Sequence, residues 1–250
     1  MAVILGLGVS SQSTTTYTLK MMKKTAQLAL MALLMTLGSC VMNGTIANHP
    51  TEVSQVNQTT AMSPFDEVDL SGGMNVVLEQ GTTYSARVET SAAAFEHVVI
   101  YEANHTLYIG NKRTQTGSLP ADSVTVYVTT PSLNEIELSG AGNITSTQPL
   151  NATNMHIELT GAGNIDIASL TCTELDVELT GSGNITIGTL HASDVDTSIT
   201  GSGNVTFKNI TALRAESEIS GSGFITLSGH VDSHREDISG TGSVNAQGLK

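Results

Sequence analysis

Thr160-Gly161-Ala162-Gly163-Asn164-Ile165, Thr180-Gly181-Ser182-Gly183-Asn184-Ile185 and Thr200-Gly201-Ser202-Gly203-Asn204-Val205 are three copies of one phrase. Ser139-Gly140-Ala141-Gly142-Asn143-Ile144 precedes them. Two frayed copies follow, Ser220-Gly221-Ser222-Gly223-Phe224-Ile225 and Ser239-Gly240-Thr241-Gly242-Ser243-Val244. The first glycines stand 21, 20, 20, 20 and 19 residues apart. A period near 20 with strand-like residues between the copies means one solenoid coil per repeat. The expected fold class is all-β: a single-stranded parallel β-helix of about 20 residues per coil.

The repeat has an inside and an outside. Four residues before the first glycine stand Ile136, Ile157 and Val177, and two before stand Leu138, Leu159, Leu179, Ile199 and Ile219. Four after stand Ile144, Ile165, Ile185, Val205 and Ile225, and six after stand Ile167, Ile187, Phe207 and Leu227. Alternation with period two and a majority of β-branched residues read as strands. Each strand can pair with its copy in the next coil, roughly 4.8 Å away, so the aliphatic residues stack in inward rows. A coil this short cannot bury its apolar face alone, and its neighbours supply the core.

Between the strands lie the structural positions. Gly140, Gly142, Gly161, Gly163, Gly181, Gly183, Gly201 and Gly203 interrupt them where positive φ or a close backbone approach is required. Asn143, Asn164, Asn184 and Asn204 form a row of their own. Stacked amides can hydrogen-bond along such a row, and asparagine also tolerates a left-handed corner. A phosphate-binding glycine loop does not fit, because the third glycine and the following helix are missing. The calcium-binding nonapeptide lacks its paired glycines and aspartate. No cofactor is expected.

Residues Phe65 to Pro131 are less regular but still β. Val68, Leu70, Val76 and Leu78 fall at the repeat offsets from Gly72, and Asn75 falls on the asparagine position. Tyr84 to Glu89, Val98 to Tyr101, Thr106 to Ile109 and Ser123 to Thr129 are further strand candidates, with a helical turn near Ser91 to Phe95. Terminal repeats are usually atypical, so the segment reads as first coils plus an irregular N-terminal cap in one domain, 63–250.

Phe65-Asp66-Glu67-Val68, Leu70-Ser71-Gly72 and Asn75-Val76 open an order of motifs. Val124-Thr125-Val126-Tyr127-Val128 and Pro131-Ser132-Leu133 continue it into Ile136-Glu137-Leu138-Ser139-Gly140-Ala141-Gly142, and Ile238-Ser239-Gly240-Thr241-Gly242-Ser243-Val244 closes it. From about Phe65 to Gly248 this order resembles the head GIN domain family of auto-transporter adhesins. The resemblance implies a right-handed β-helix on bacterial envelope lipoproteins, and it brings no catalytic residue.

The amino terminus supplies an address. Lys23-Lys24 precedes an apolar run from Ala26 to Leu37, then Leu37-Gly38-Ser39-Cys40. A basic start, a short apolar run and small residues describe a secretory signal over 1–39, and the run is too short to span a bilayer. Cysteine directly after the small residues resembles a bacterial lipobox, which makes Cys40 the lipidation site. The alternative is an ordinary signal peptide with a coincidental cysteine. Met1 to Lys20 fits neither part, and Met21 or Met22 makes a better start. No aspartate follows Cys40, so the outer membrane is the expected location by analogy with other lipoproteins. Residues 40–62, rich in Asn, Thr and Gln, read as a lipidated flexible tether.

Removing residues 1–39 takes away Lys20, Lys23 and Lys24 and no acid, leaving 7 basic against 23 acidic residues, a net charge of −16. That excludes nucleic acid as a partner and disfavours anionic headgroups. The expected partners are the membrane, through the anchor, and an envelope or extracellular glycan or protein. With only Cys40 and Cys172 there is no disulfide framework, and Cys172 shares the slot of Ala152, Ala192 and Ala212, a small buried position.

The acids form rows. Glu137, Glu158, Glu178 and Glu218 stand three before the glycine, interrupted by Ser198. Glu135, Asp176, Asp196 and Glu216 stand five before it, with His156 in the second slot. Both offsets alternate with buried ones, so they face outward on one sheet. A solvated face is the plain reading, and weak divalent-cation or basic-partner binding the sharper one. The histidines show no metal spacing; His230 and His234 are the nearest pair. Two classes follow: a non-catalytic envelope lipoprotein for adhesion or scaffolding, or a polysaccharide-active β-helix lyase or hydrolase. The enzyme needs a cluster of basic or carboxylate groups beside aromatic sugar platforms. With no Trp, five Tyr and four Phe in the chain, the non-enzyme is the expectation.

Overall fold

The computed structural model describes residues 55–112 and 124–250. The signal segment, Cys40 and the tether as far as residue 54 lie outside the described residues, as do residues 113–123, including the first residue of the Ser123 to Thr129 strand candidate. The strands are β1 (Gln55–Ala61), β2 (Glu67–Gly72), β3 (Asn75–Gln80), β4 (Ser85–Ser91), β5 (Val98–Ala103), β6 (Thr106–Asn111), β7 (Thr125–Thr130), β8 (Glu135–Gly140) and β9 (Asn143–Asn151). They continue with β10 (Asn154–Gly161), β11 (Asn164–Thr171), β12 (Glu174–Gly181), β13 (Asn184–His191), β14 (Asp194–Gly201), β15 (Asn204–Gly221), β16 (Phe224–Gly240) and β17 (Ser243–Leu249). One short helix, α1 (Ala92–Phe95), follows β4, with Ser91 Oγ accepting from the Ala94 N–H at 3.2 Å.

The repeats form a β-solenoid of about six turns with about 20 residues per turn. One parallel face runs β2, β8, β10, β12, β14 and the second halves of β15 and β16. The other runs β3, β9, β11, β13, the first halves of β15 and β16, and β17. The register follows the phrase: Gly72, Gly140, Gly161, Gly181 and Gly201 stand on one another. Every inward row is buried, with Ile136, Leu138, Ile144, Ile157, Leu159, Ile165, Ile185 and Val205 at 0 % exposure.

The two glycines of each phrase serve different ends. Gly181 adopts φ +124°, a region that side chains other than glycine rarely enter. Gly183 has ordinary φ but no room: a Cβ there would lie 2.4 Å from the Gly163 carbonyl oxygen and 2.7 Å from Leu159 Cδ2. The asparagines form a side-chain ladder. Asn143 Nδ2 donates to Asn75 Oδ1 at 2.8 Å, Asn164 to Asn143 at 2.9 Å, Asn184 to Asn164 at 2.9 Å and Asn204 to Asn184 at 2.8 Å. None of these asparagines has positive φ, so stacking and not a left-handed corner selects the residue. The ladder stops at Phe224, which takes the next slot and is 53 % exposed.

The N-terminal end departs from chain order. β6 and β7 pair in parallel with β2 and β3 on the side opposite β8 and β9, so the later segment forms the layer beneath the earlier one. Below it the strands turn antiparallel: β4 pairs with β7, β1 with β4, and β5 with β6. The expected tether to residue 62 is too long, because Gln55–Ala61 is already a strand paired with Ser85–Ser91. An antiparallel edge removes the open parallel template that a solenoid end would otherwise present.

Candidate functional site

The outward acidic sheet is the feature with chemistry. On it His156, Asp176, Asp196, Glu216 and Arg235 stand in register on successive strands, as do Glu137, Glu158, Glu178, Ser198 and Glu218. Strand alternation places them outward because Ile157, Val177 and Ile219 between them fill the core. Asp176, Asp196, Glu216 and Glu218 are exposed, and Glu158 and Glu178 are half-buried. Glu137 corrects the expectation of a uniformly solvated row, since it is only 7 % exposed. It lies at the cap end, between Asp69 and Glu158 in register, where the stacked Tyr101 and Tyr108 rings, 5.0 Å apart, share the face.

Basic groups stand one coil away from an acid. Arg214 pairs with Asp194, Arg235 pairs with Glu216, and His156 Nδ1 lies 3.1 Å from Asp176 Oδ2. Their separations of 20, 19 and 20 residues are one repeat period, and that arithmetic would have found the pairs. Like charges leave a trace: Asp196 titrates above the usual aspartate range, through partial burial first, then Glu216, Asp176 and Asp194, with Arg214 opposing.

His156, Glu158 and Glu178 bring one donor atom each within 4.8 Å of one another. An imidazole with two carboxylates is a transition-metal donor set rather than the all-oxygen cage calcium prefers. Histidine spacing alone did not reveal this group, because Glu178 arrives from the next coil. His230 and His234 do not converge: His230 Nε2 meets Asp232 at 3.0 Å, while His234 meets Ser217 and Glu236.

The His156–Asp176 pair makes stability depend on pH. The hydrogen bond to Asp176 raises the His156 pKa, with burial opposing and Asp176, Glu135 and Glu178 adding charge. A histidine raised in the folded state contributes fully below its unfolded pKa of about 6.5 and loses that contribution as pH rises through the folded value. His156→Gln should therefore melt below the parent at pH 5.5, and the difference should close by pH 9. Asp176 is exposed and His156 half-buried, so solvent screening should keep the gap to about 1 kcal/mol. A gap that widens with pH would contradict the assignment.

A hydrolase-like order also occurs. Ser217 Oγ lies 3.0 Å from His234 Nε2, and His234 Nδ1 lies 3.5 Å from Glu236 Oε1. Ser217, however, is 0 % exposed in an inward row, so no substrate carbonyl reaches its oxygen. The histidine satisfies a buried hydroxyl. Cys172 is buried as well, in the alanine slot, and burial pushes its thiol up to about 11, which removes it as a nucleophile.

The fold has solved counterparts. A putative adhesin from Bacteroides fragilis NCTC 9343 is 22 % identical, covering 78 % of this chain and 98 % of that one, with a TM-score of 0.62. A putative adhesin from Parabacteroides merdae ATCC 43184 is 18 % identical, covering 78 % and 96 %, with a TM-score of 0.63. A putative lipid binding protein from Parabacteroides distasonis ATCC 8503 is 19 % identical, covering 78 % and 97 %, with a TM-score of 0.63. At these identities the likeness concerns the fold. No curated protein matches the chain. One family model matches residues 64–189 and again 186–250, stretches that hold the glycine register from Gly72 to Gly240 and the asparagine stack from Asn75 to Asn204, and the chain belongs to that family: putative auto-transporter adhesin, head GIN domain.

Proposed function

We propose that this protein is a non-catalytic lipoprotein of the bacterial cell envelope, held in the outer membrane through Cys40, that presents its acidic β-helix face to a glycan or protein partner. The carrying observation is the in-register run Asp176, Asp196 and Glu216 on consecutive coils. The inward rows pack the core and the corner rows hold the coils together, so the outward face is the part of the repeat free to vary with a partner. Membership of an adhesin family supports a surface role. Partners with basic groups fit this face, and binding should weaken with salt.

Two measurements test the reading. Cys40→Ala should abolish acyl labelling and release the protein from the membrane fraction; labelling that persists in the variant would sink the anchor. The purified protein, screened on glycan and matrix-protein arrays with product analysis, should bind without cleaving. Replacing Asp176, Asp196 and Glu216 together by their amides should cut binding about tenfold or more. Released oligosaccharide products would replace this reading with the enzyme.

A further inference from the structure

Within the cap, between β1 and β4 on one side and α1 and β5 on the other, lies a cleft of about 690 Å³. Gln58 and Thr60 of β1, Met62 just after it, and Ala86 and Val88 of β4 line one wall. Phe95, Val98 and Ile100 line the other, from α1 and β5. Among the described residues β1 pairs only with β4, and β5 only with β6, so no strand closes the gap between them. The volume lies within the roughly 300–1,000 Å³ of small-molecule sites, and the lining mixes apolar side chains with polar ones.

The polar groups decide the ligand class. Glu96 and Lys112 both border the cleft and both are exposed. They are held near each other by backbone: the Lys112 N–H donates to the His97 carbonyl at 2.8 Å, and the His97 N–H donates to the Ala94 carbonyl at 3.0 Å. A carboxylate, an imidazole and an ammonium therefore border the one cleft. An anionic head alone would meet Glu96, and a cationic head alone would meet Lys112. A head with both charges satisfies each.

We infer that this cleft binds a single-chain amphiphile with a zwitterionic head: the acyl chain lies between Val88 and Ile100, the head's anion faces Lys112 and its ammonium faces Glu96. This is independent of adhesion by the acidic sheet, which is a different surface made of different strands.

The probe is lysophosphatidylethanolamine below its micellar concentration, titrated into the full chain against a displaceable fluorescent acyl probe. One saturable site per chain is expected. Thr60, an exposed residue of β1 at the cleft, tests the location: Thr60→Trp should leave the melting temperature unchanged and weaken binding about tenfold or more by filling the space. Glu96→Lys and Lys112→Glu should each weaken the zwitterion several-fold while leaving a long-chain alcohol unaffected. The inference is overturned if the full chain shows no saturable binding, whether the cleft stays empty or is filled by the chain's own remaining residues. It is equally overturned if Thr60→Trp binds like the parent, or if the alcohol binds as tightly as the zwitterion.

Discussion

Ile185→Asp is expected to unfold the middle of the solenoid. Ile185 is 0 % exposed and sits in register between Ile165 and Val205, which are buried to the same degree. The substitution removes a packed side chain from both neighbouring coils and places a carboxylate where no cationic partner is present in the row. Loss of the aliphatic side chain alone costs about 2–5 kcal/mol, and the unpaired buried acid adds to it. A single domain is stable by only about 5–15 kcal/mol, so most of the margin disappears. Circular-dichroism melting should show a greatly lowered midpoint or no cooperative transition at 37 °C. Ser182→Asp, exposed one corner away, should stay within about 0.5 kcal/mol of the parent. If the two variants melt alike, the inward row is wrongly assigned.

Gly183→Ala is expected to be the second-largest effect, although it adds one methyl group. The new Cβ would meet the Gly163 carbonyl oxygen at 2.4 Å and Leu159 Cδ2 at 2.7 Å. The oxygen belongs to the backbone of the neighbouring coil, so relief requires the two coils to part at a corner. There the Asn184 N–H donates to the Gly163 carbonyl at 3.1 Å. Overpacking of this kind costs about 1–3 kcal/mol. Gly73→Ala is the control, since a Cβ at Gly73 has nothing within 4 Å and its φ is ordinary. Urea midpoints should separate the two clearly. A Gly183→Ala variant as stable as Gly73→Ala would mean that the coils are spaced more loosely at this corner.

These variants probe positions that the sequence announced, and the reason is locality. A solenoid repeats one set of contacts between neighbouring coils, so each structural requirement recurs every 20 residues and becomes a row. Ile185 could be placed inward because Ile165 and Val205 stand at the same offset, and Asn184 could be placed in a ladder because Asn164 and Asn204 do. Even the degenerate Asn75 was legible, since its offset from Gly72 matched. The same arithmetic reached the acid rows, yet not their company. Arg235 and His156 replace an acid once each, and a single exception in a row looks like noise until the strands are laid side by side.

The tertiary structure alone decided the rest. Nothing periodic marks β6 and β7 as the layer beneath β2 and β3, because that placement depends on pairing between segments used once. Val56 faces Thr90 in an antiparallel pair that no other coil repeats, so the strand Gln55–Ala61 read as tether. Burial of Glu137 and the cleft in the cap arise in the same way. The sequence by itself determined the coil, its inward rows, its glycine corners and its asparagine stack, since nearest-neighbour contacts repeated along one axis must repeat in the residues that make them. The cap and the cleft come from contacts made once, and a contact made once leaves no period to read.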